Sequence, residues 1–70
     1  MRFEVNHSGR GGFILCVYGK KEYKLGITNE NHLGYFGIYF TGIKKSEKEL
    51  IKKELRPWLD STNRENWFFE

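Results

Sequence analysis

The sequence predicts an α+β fold: a four-stranded antiparallel sheet packed by one C-terminal helix, in the order ββββα, with an aromatic C-terminal tail. Three observations predict it. Apolar and polar residues alternate through the first half of the chain, segments rich in glycine or asparagine interrupt that alternation, and after Ser46 the apolar spacing becomes helical. Seventy residues are enough for one hydrophobic core, so residues 1–70 read as a single small domain.

The elements follow in order. Residues 2–6 place Phe3 and Val5 on one face of a first strand. His7-Ser8-Gly9-Arg10-Gly11-Gly12 then reads as a hairpin loop, because its glycines break regular structure. Residues 13–18 are apolar on both alternating sets, the pattern of a central strand covered on both sides. After the Gly19-Lys20-Lys21 turn, Tyr23, Leu25 and Ile27 alternate with Glu22, Lys24, Gly26 and Thr28, giving a third strand with one wet face. A turn over residues 29–34 leads to an aromatic fourth strand over residues 35–43.

Ser46-Glu47-Lys48-Glu49 has the form of a capping box, which opens the helix. Ile51, Leu55 and Trp58 form its apolar arc, extended by Leu50 and Leu59. Pro57, lacking an amide hydrogen, predicts an end near Leu55 or Arg56. Two readings of the tail stand side by side: a helical turn opened by Thr62, or residues 66–70 extended against the sheet.

Composition narrows the function classes. Charged residues make up 30% and hydrophobic ones 39%, with one proline, so a folded chain is expected rather than a disordered one. The net charge of +3 arises within residues 44–56, where Lys44, Lys45, Lys48, Lys52, Lys53 and Arg56 face only Glu47, Glu49 and Glu54. The lone Cys16 forms no internal disulfide, which for so short a chain points to the cytoplasm. The longest apolar run is far shorter than the ~20 residues a membrane helix needs, so no membrane partner is expected.

Chemistry-bearing residues are sparse. Cys16, His7 and His32 have no CxxC or HxxxH spacing, and no two carboxylates form a recognisable catalytic pair, so neither a metal, a cofactor nor an enzyme is expected. The glycine loop with Arg10 lacks the GK[ST] ending of a phosphate-binding loop and does not lead into a helix. Tyr23-Lys24-Leu25-Gly26-Ile27-Thr28, preceded by Gly12-Phe13-Ile14, resembles the opening hairpin of GIY-YIG nucleases. Ile14 stands where that family has its first tyrosine, and no arginine-bearing helix follows Thr28, so the resemblance brings no nuclease expectation with it.

Two features suit binding. Lys45, Lys52 and Arg56, with Lys48 at the edge, fall within about 80° on a helical wheel and form a basic stripe beside the apolar arc. One short helix covers one sheet face, so apolar residues of strands two and four need another cover. The candidates for that second face are Ile14, Cys16 and Tyr18 with a set from Tyr35, Gly37 and Tyr39 or Phe36, Ile38 and Phe40. The cover is the Trp67-Phe68-Phe69 tail, a second copy of the chain or a partner.

The resulting expectation is a small non-enzymatic protein-binding module, of the inhibitor or adaptor kind that phages and mobile elements direct at host protein complexes. Tyr18, Tyr35, Tyr39, Lys45, Lys52 and Arg56 are its contact residues, and a homodimer is one form of the partner. The alternative is a nucleic-acid-binding domain that uses the helix stripe with Lys48, the Lys20-Lys21 turn and Arg10.

Overall fold

The computed structural model describes residues 1–8, 11–30 and 34–70, and Arg10 and His32 fall outside them. The elements run β1 (Arg2–Ser8), β2 (Gly11–Tyr18), β3 (Lys21–Glu30), β4 (Tyr35–Tyr39), α1 (Lys45–Ser61) and β5 (Trp67–Phe69). They form one mixed sheet in the order β1-β2-β3-β4-β5 with the helix across it. The α+β class and the four-strand antiparallel meander are as expected. Of the two readings of the tail the extended one holds, and Trp67–Phe69 adds a fifth strand paired parallel to β4, so the sheet has five strands and is not purely antiparallel.

Register explains which residues enter the core. Directly opposed residues point to the same face of a sheet, and the pairs Val5↔Ile14, Ile14↔Leu25, Phe3↔Cys16 and Ile27↔Ile38 therefore build one continuous apolar surface. Ile51, Leu55 and Leu59 of α1 lie one helical turn apart and are buried with Ile14, Cys16, Leu25, Ile27 and Ile38. This corrects the expectation that Ile14 and Cys16 sit on the face away from the helix. They share the helix-facing side with Leu25, and the other alternating set of β2, Phe13, Leu15 and Val17, faces away.

Two helix limits also differ from the sequence reading. Lys44 is the N-cap, with an extended ψ of 148° and no side-chain cap bond; Lys48 N–H donates to the Lys44 carbonyl at 2.8 Å. Ser46 therefore lies inside the first turn and does not form the cap of a capping box. At the other end α1 continues through Pro57 to Ser61. Pro57 and Lys53 are both exposed, so water can satisfy the Lys53 carbonyl that lacks its amide partner, while burial of Leu59 holds the last turn down.

The chain then reverses at Asn63, whose φ of 60° is left-handed, and Arg64 N–H returns to the Leu59 carbonyl at 2.8 Å. That bond is the long arm of a Schellman cap. It delivers residues 66–70 alongside β4, where Phe36 N–H donates to Asn66 O at 3.0 Å and Glu70 N–H to Ile38 O at 2.8 Å.

Candidate interaction surface

The sheet face opposite α1 carries the even positions of β1 and β3 and the odd positions of β2 and β4. Reading across it, Arg2 opposes Val17, Glu4 opposes Leu15 and Asn6 opposes Phe13. On the next strand pair Val17 meets Glu22, Leu15 meets Lys24, and Phe13 meets Gly26, which in turn meets Tyr39. Tyr35 opposes Glu30, and Phe68 lies beside Gly37.

The face is apolar at its centre. Phe13, Leu15 and Val17 run along β2, half-buried only by their neighbours, while Tyr39 is 37% exposed and Phe68 49% exposed. Gly26 lies between Phe13 and Tyr39, and a Cβ there would meet only the Tyr39 Cβ at 3.8 Å, so the surface dips between the two rings. Lys24 Nζ sits 4.6 Å from the centre of the Phe13 ring, and Tyr35 meets Phe68 edge-on at 5.6 Å. Gly37 lies beneath the Glu70 side chain, since a Cβ would come within 2.8 Å of Glu70 Oε1 and 3.0 Å of Thr28 Oγ1.

Charge on this face is acidic. Glu4, Glu22, Glu30 and Glu70 are matched only by Arg2 and Lys24 among the described residues, four carboxylates against two bases. Partial burial, followed by the Glu70 and Glu30 carboxylates, raises the pKa of the Tyr35 hydroxyl above its ordinary value, so it is a hydrogen-bond donor across the physiological range.

The contact residues expected from sequence are not brought together. Tyr35 and Tyr39 belong to this face, but Tyr18 follows Ile14 and Cys16 in the helix-side alternation and stands 50% exposed at the sheet's end. There it contributes with Glu47 to raising the Tyr23 pKa, chiefly through the Tyr23–Glu47 hydrogen bond. Lys20 and Lys21 lie at the same end, in the β2–β3 turn and the first position of β3. Phe13, Leu15 and Val17 are surface residues that sequence reasoning left out, although the double-sided apolar pattern of residues 13–18 had signalled them, and Phe68, expected in a covering tail, is itself exposed on this face.

Lys45, Lys48, Lys52 and Arg56 do line one flank of α1, and three of them are engaged with the fold. Lys48 and Lys52 lie 5.7 Å from the Phe40 ring centre, and Lys52 and Arg56 each 5.7 Å from that of Phe69. Arg56 Nη1 donates to the Trp67 carbonyl at 2.7 Å, and its Nη2 bonds Asp60 Oδ1 at 3.0 Å. Among its neighbours, Arg64 is stacked between Trp58 and Trp67, 5.3 and 5.4 Å from their ring centres.

Cys16 is fully buried, and that burial pushes its thiol pKa up to about 12. A neutral buried thiol is a poor nucleophile. Among the described residues no cluster of His, Cys, Asp or Glu is arranged to hold a metal ion, and no helix is long and apolar enough to cross a membrane. Comparisons with protein-family models, with curated proteins and with solved structures find no match.

Proposed function

We propose that this protein is a protein-binding module whose contact surface is the open sheet face, centred on Phe13, Leu15, Val17, Tyr39 and Phe68. The observation that carries this reading is the combination of an uncovered apolar and tyrosine-bearing face with an acidic surround. Rings with a hydrated hydroxyl suit surfaces that are wet in the free protein and dry in a complex. The carboxylates argue for polypeptide over nucleic acid on this face, because phosphates approaching it would meet four carboxylates and two bases.

The alternative, nucleic acid on the α1 stripe, has less support. Arg56 is committed to Trp67 and Asp60, while Lys48 and Lys52 are folded over Phe40 and Phe69. Placing a photo-crosslinking p-benzoylphenylalanine at position 68 or 17 tests the choice against the same group at Lys53 on the back of the helix. The open-face reading expects nuclease-resistant protein adducts from positions 68 and 17 that diminish when Tyr39 is changed to Ser. Adducts from position 53 alone, or adducts removed by nuclease, would overturn it.

A further inference from the structure

The two edges of the sheet are not equivalent. At β5 the outward backbone groups of Trp67 are already engaged: its N–H donates to the Arg64 carbonyl at 3.1 Å and its C=O accepts from Arg56 at 2.7 Å. Arg64 and Arg56 thus occupy the Trp67 position of that edge, which has only the three residues Trp67–Phe69. The opposite edge is β1, seven residues that pair with β2 alone. Among the described residues no hydrogen bond from another segment reaches the outer backbone of Arg2–Ser8. An unpaired row of amides and carbonyls is a template for a further strand.

Beside this edge, on the open face, lies a cavity of about 170 Å³ lined by Glu4, Val5, Asn6, Phe13 and Leu15. It is smaller than the roughly 300–1,000 Å³ of a small-molecule site, and it suits one long side chain. Its chemistry is mixed. Phe13 and Leu15 supply an apolar wall for methylenes, and Glu4 and Asn6 supply a carboxylate and an amide for a charged head. Glu4 is exposed and has no ion-pair partner among the described residues.

We infer that β1 is a docking edge for an extended basic polypeptide segment, which adds to the sheet as a sixth strand and seats a Lys or Arg side chain in the Glu4–Asn6 cavity. This rests on the protein-binding reading and gives the partner a chemistry. A strand laid along β1 continues the sheet, so its alternate side chains rise on the open face next to Glu4 and Asn6. Glu4, the one carboxylate that lines the cavity, selects a basic residue at that position. A second copy of this chain is the competing occupant: its own β1 offers one base, Arg2, which two-fold pairing centred on Phe3 sets against Glu4.

Selection of a random linear-peptide library on the full chain tests the inference, followed by synthesis of the enriched peptides. The expected peptides alternate apolar residues with Lys or Arg and protect the amides of Arg2–Ser8 from hydrogen exchange. Glu4→Lys, checked for an unchanged melting temperature, should weaken them roughly tenfold or more, with Glu4→Gln intermediate and Lys45→Glu without effect. Failure to enrich any peptide overturns the inference, and so do peptides indifferent to Glu4→Lys or peptides that protect other strands. A concentration-dependent dimer with β1 protection in the absence of peptide also overturns it, by giving the edge to a second copy. Protein adducts from positions 68 and 17 alongside a failed selection would leave the open-face reading standing and remove only the edge.

Discussion

Arg56 and Trp67 are joined by a 2.7 Å bond from the guanidinium on the flank of α1 to a main-chain oxygen on the outer edge of β5. The bond ties a helix to a strand that follows it in sequence, and the Phe69 ring lies against the same guanidinium. Arg56→Leu should cost about 1–3 kcal/mol, because a part-buried carbonyl loses its donor. Arg56→Lys should recover little, since an ammonium lacks the planar fork that serves Trp67, Arg64 and Asp60 together. Urea unfolding of the three proteins measures both effects.

Leu55 is fully buried at the centre of the helix–sheet contact. Leu55→Ala should destabilise the fold by ~2–5 kcal/mol, a large part of what so small a chain possesses. A variant that melts within a degree or two of the parent would show that α1 is not held by this contact.

The Cys16 thiol, raised to about 12, should label slowly at neutral pH, at a rate that follows global unfolding. The unfolded thiol ionises near its ordinary 9.0 and the folded one near 12. The contribution to stability is therefore complete below pH 9 and declines as pH rises from there toward 12. Cys16→Ala should remove this part of the alkaline decline, which denaturation midpoints at pH 8 and pH 10.5 would reveal.

Two glycines give opposite expectations. A Cβ on Gly12 would lie closer to the Asn6 carbonyl oxygen than any real contact allows, so Gly12→Ala must part β1 from β2 or fail to fold. Gly26→Ala meets only a 3.8 Å contact and should be neutral or stabilising by about 0.5–1 kcal/mol. Because the new methyl fills the dip between Phe13 and Tyr39, it should also alter partner affinity, and thermal melts beside a binding assay separate the two effects.

Tyr39→Ser and Phe68→Ser should weaken partner capture more than they lower the melting temperature, as both side chains are exposed on the open face. Tyr18→Ser, on the other side of the sheet, should leave capture unchanged. A fluorescent oligonucleotide titration at physiological salt should give no tight complex. If it does, with loss on Lys45→Glu, the helix flank becomes the functional surface.

Period-two alternation with intervening turns made the four-strand meander legible, and helical spacing made α1 legible. Which alternating set of β2 faces the helix was not, because residues 13–18 are apolar on both sets and only the pairing Ile14↔Leu25 decides between them. Pro57 carried a real local penalty that burial of Leu59 outweighs. Tyr35 and Tyr39 could be assigned to a surface from composition. Tyr18 could not be separated from them without the register, and the role of Arg56 at β5 depends on a tail whose strand pairing is non-local.

The parallel pairing of β5 with β4 has a consequence for the order of assembly. β1 to β4 are successive neighbours, so each pairing closes a short loop, whereas β5 reaches β4 only after the chain has traversed all of α1. Loop-closure entropy makes that contact the slowest to gain, and it gains nothing until the helix has docked. The amides of Phe68 and Glu70 should then exchange through an opening shared with α1, while those central to β2 and β3 exchange only through complete unfolding. The last residues of the chain thus report on whether the helix is seated, and an event that lifts α1 would release the tail with it.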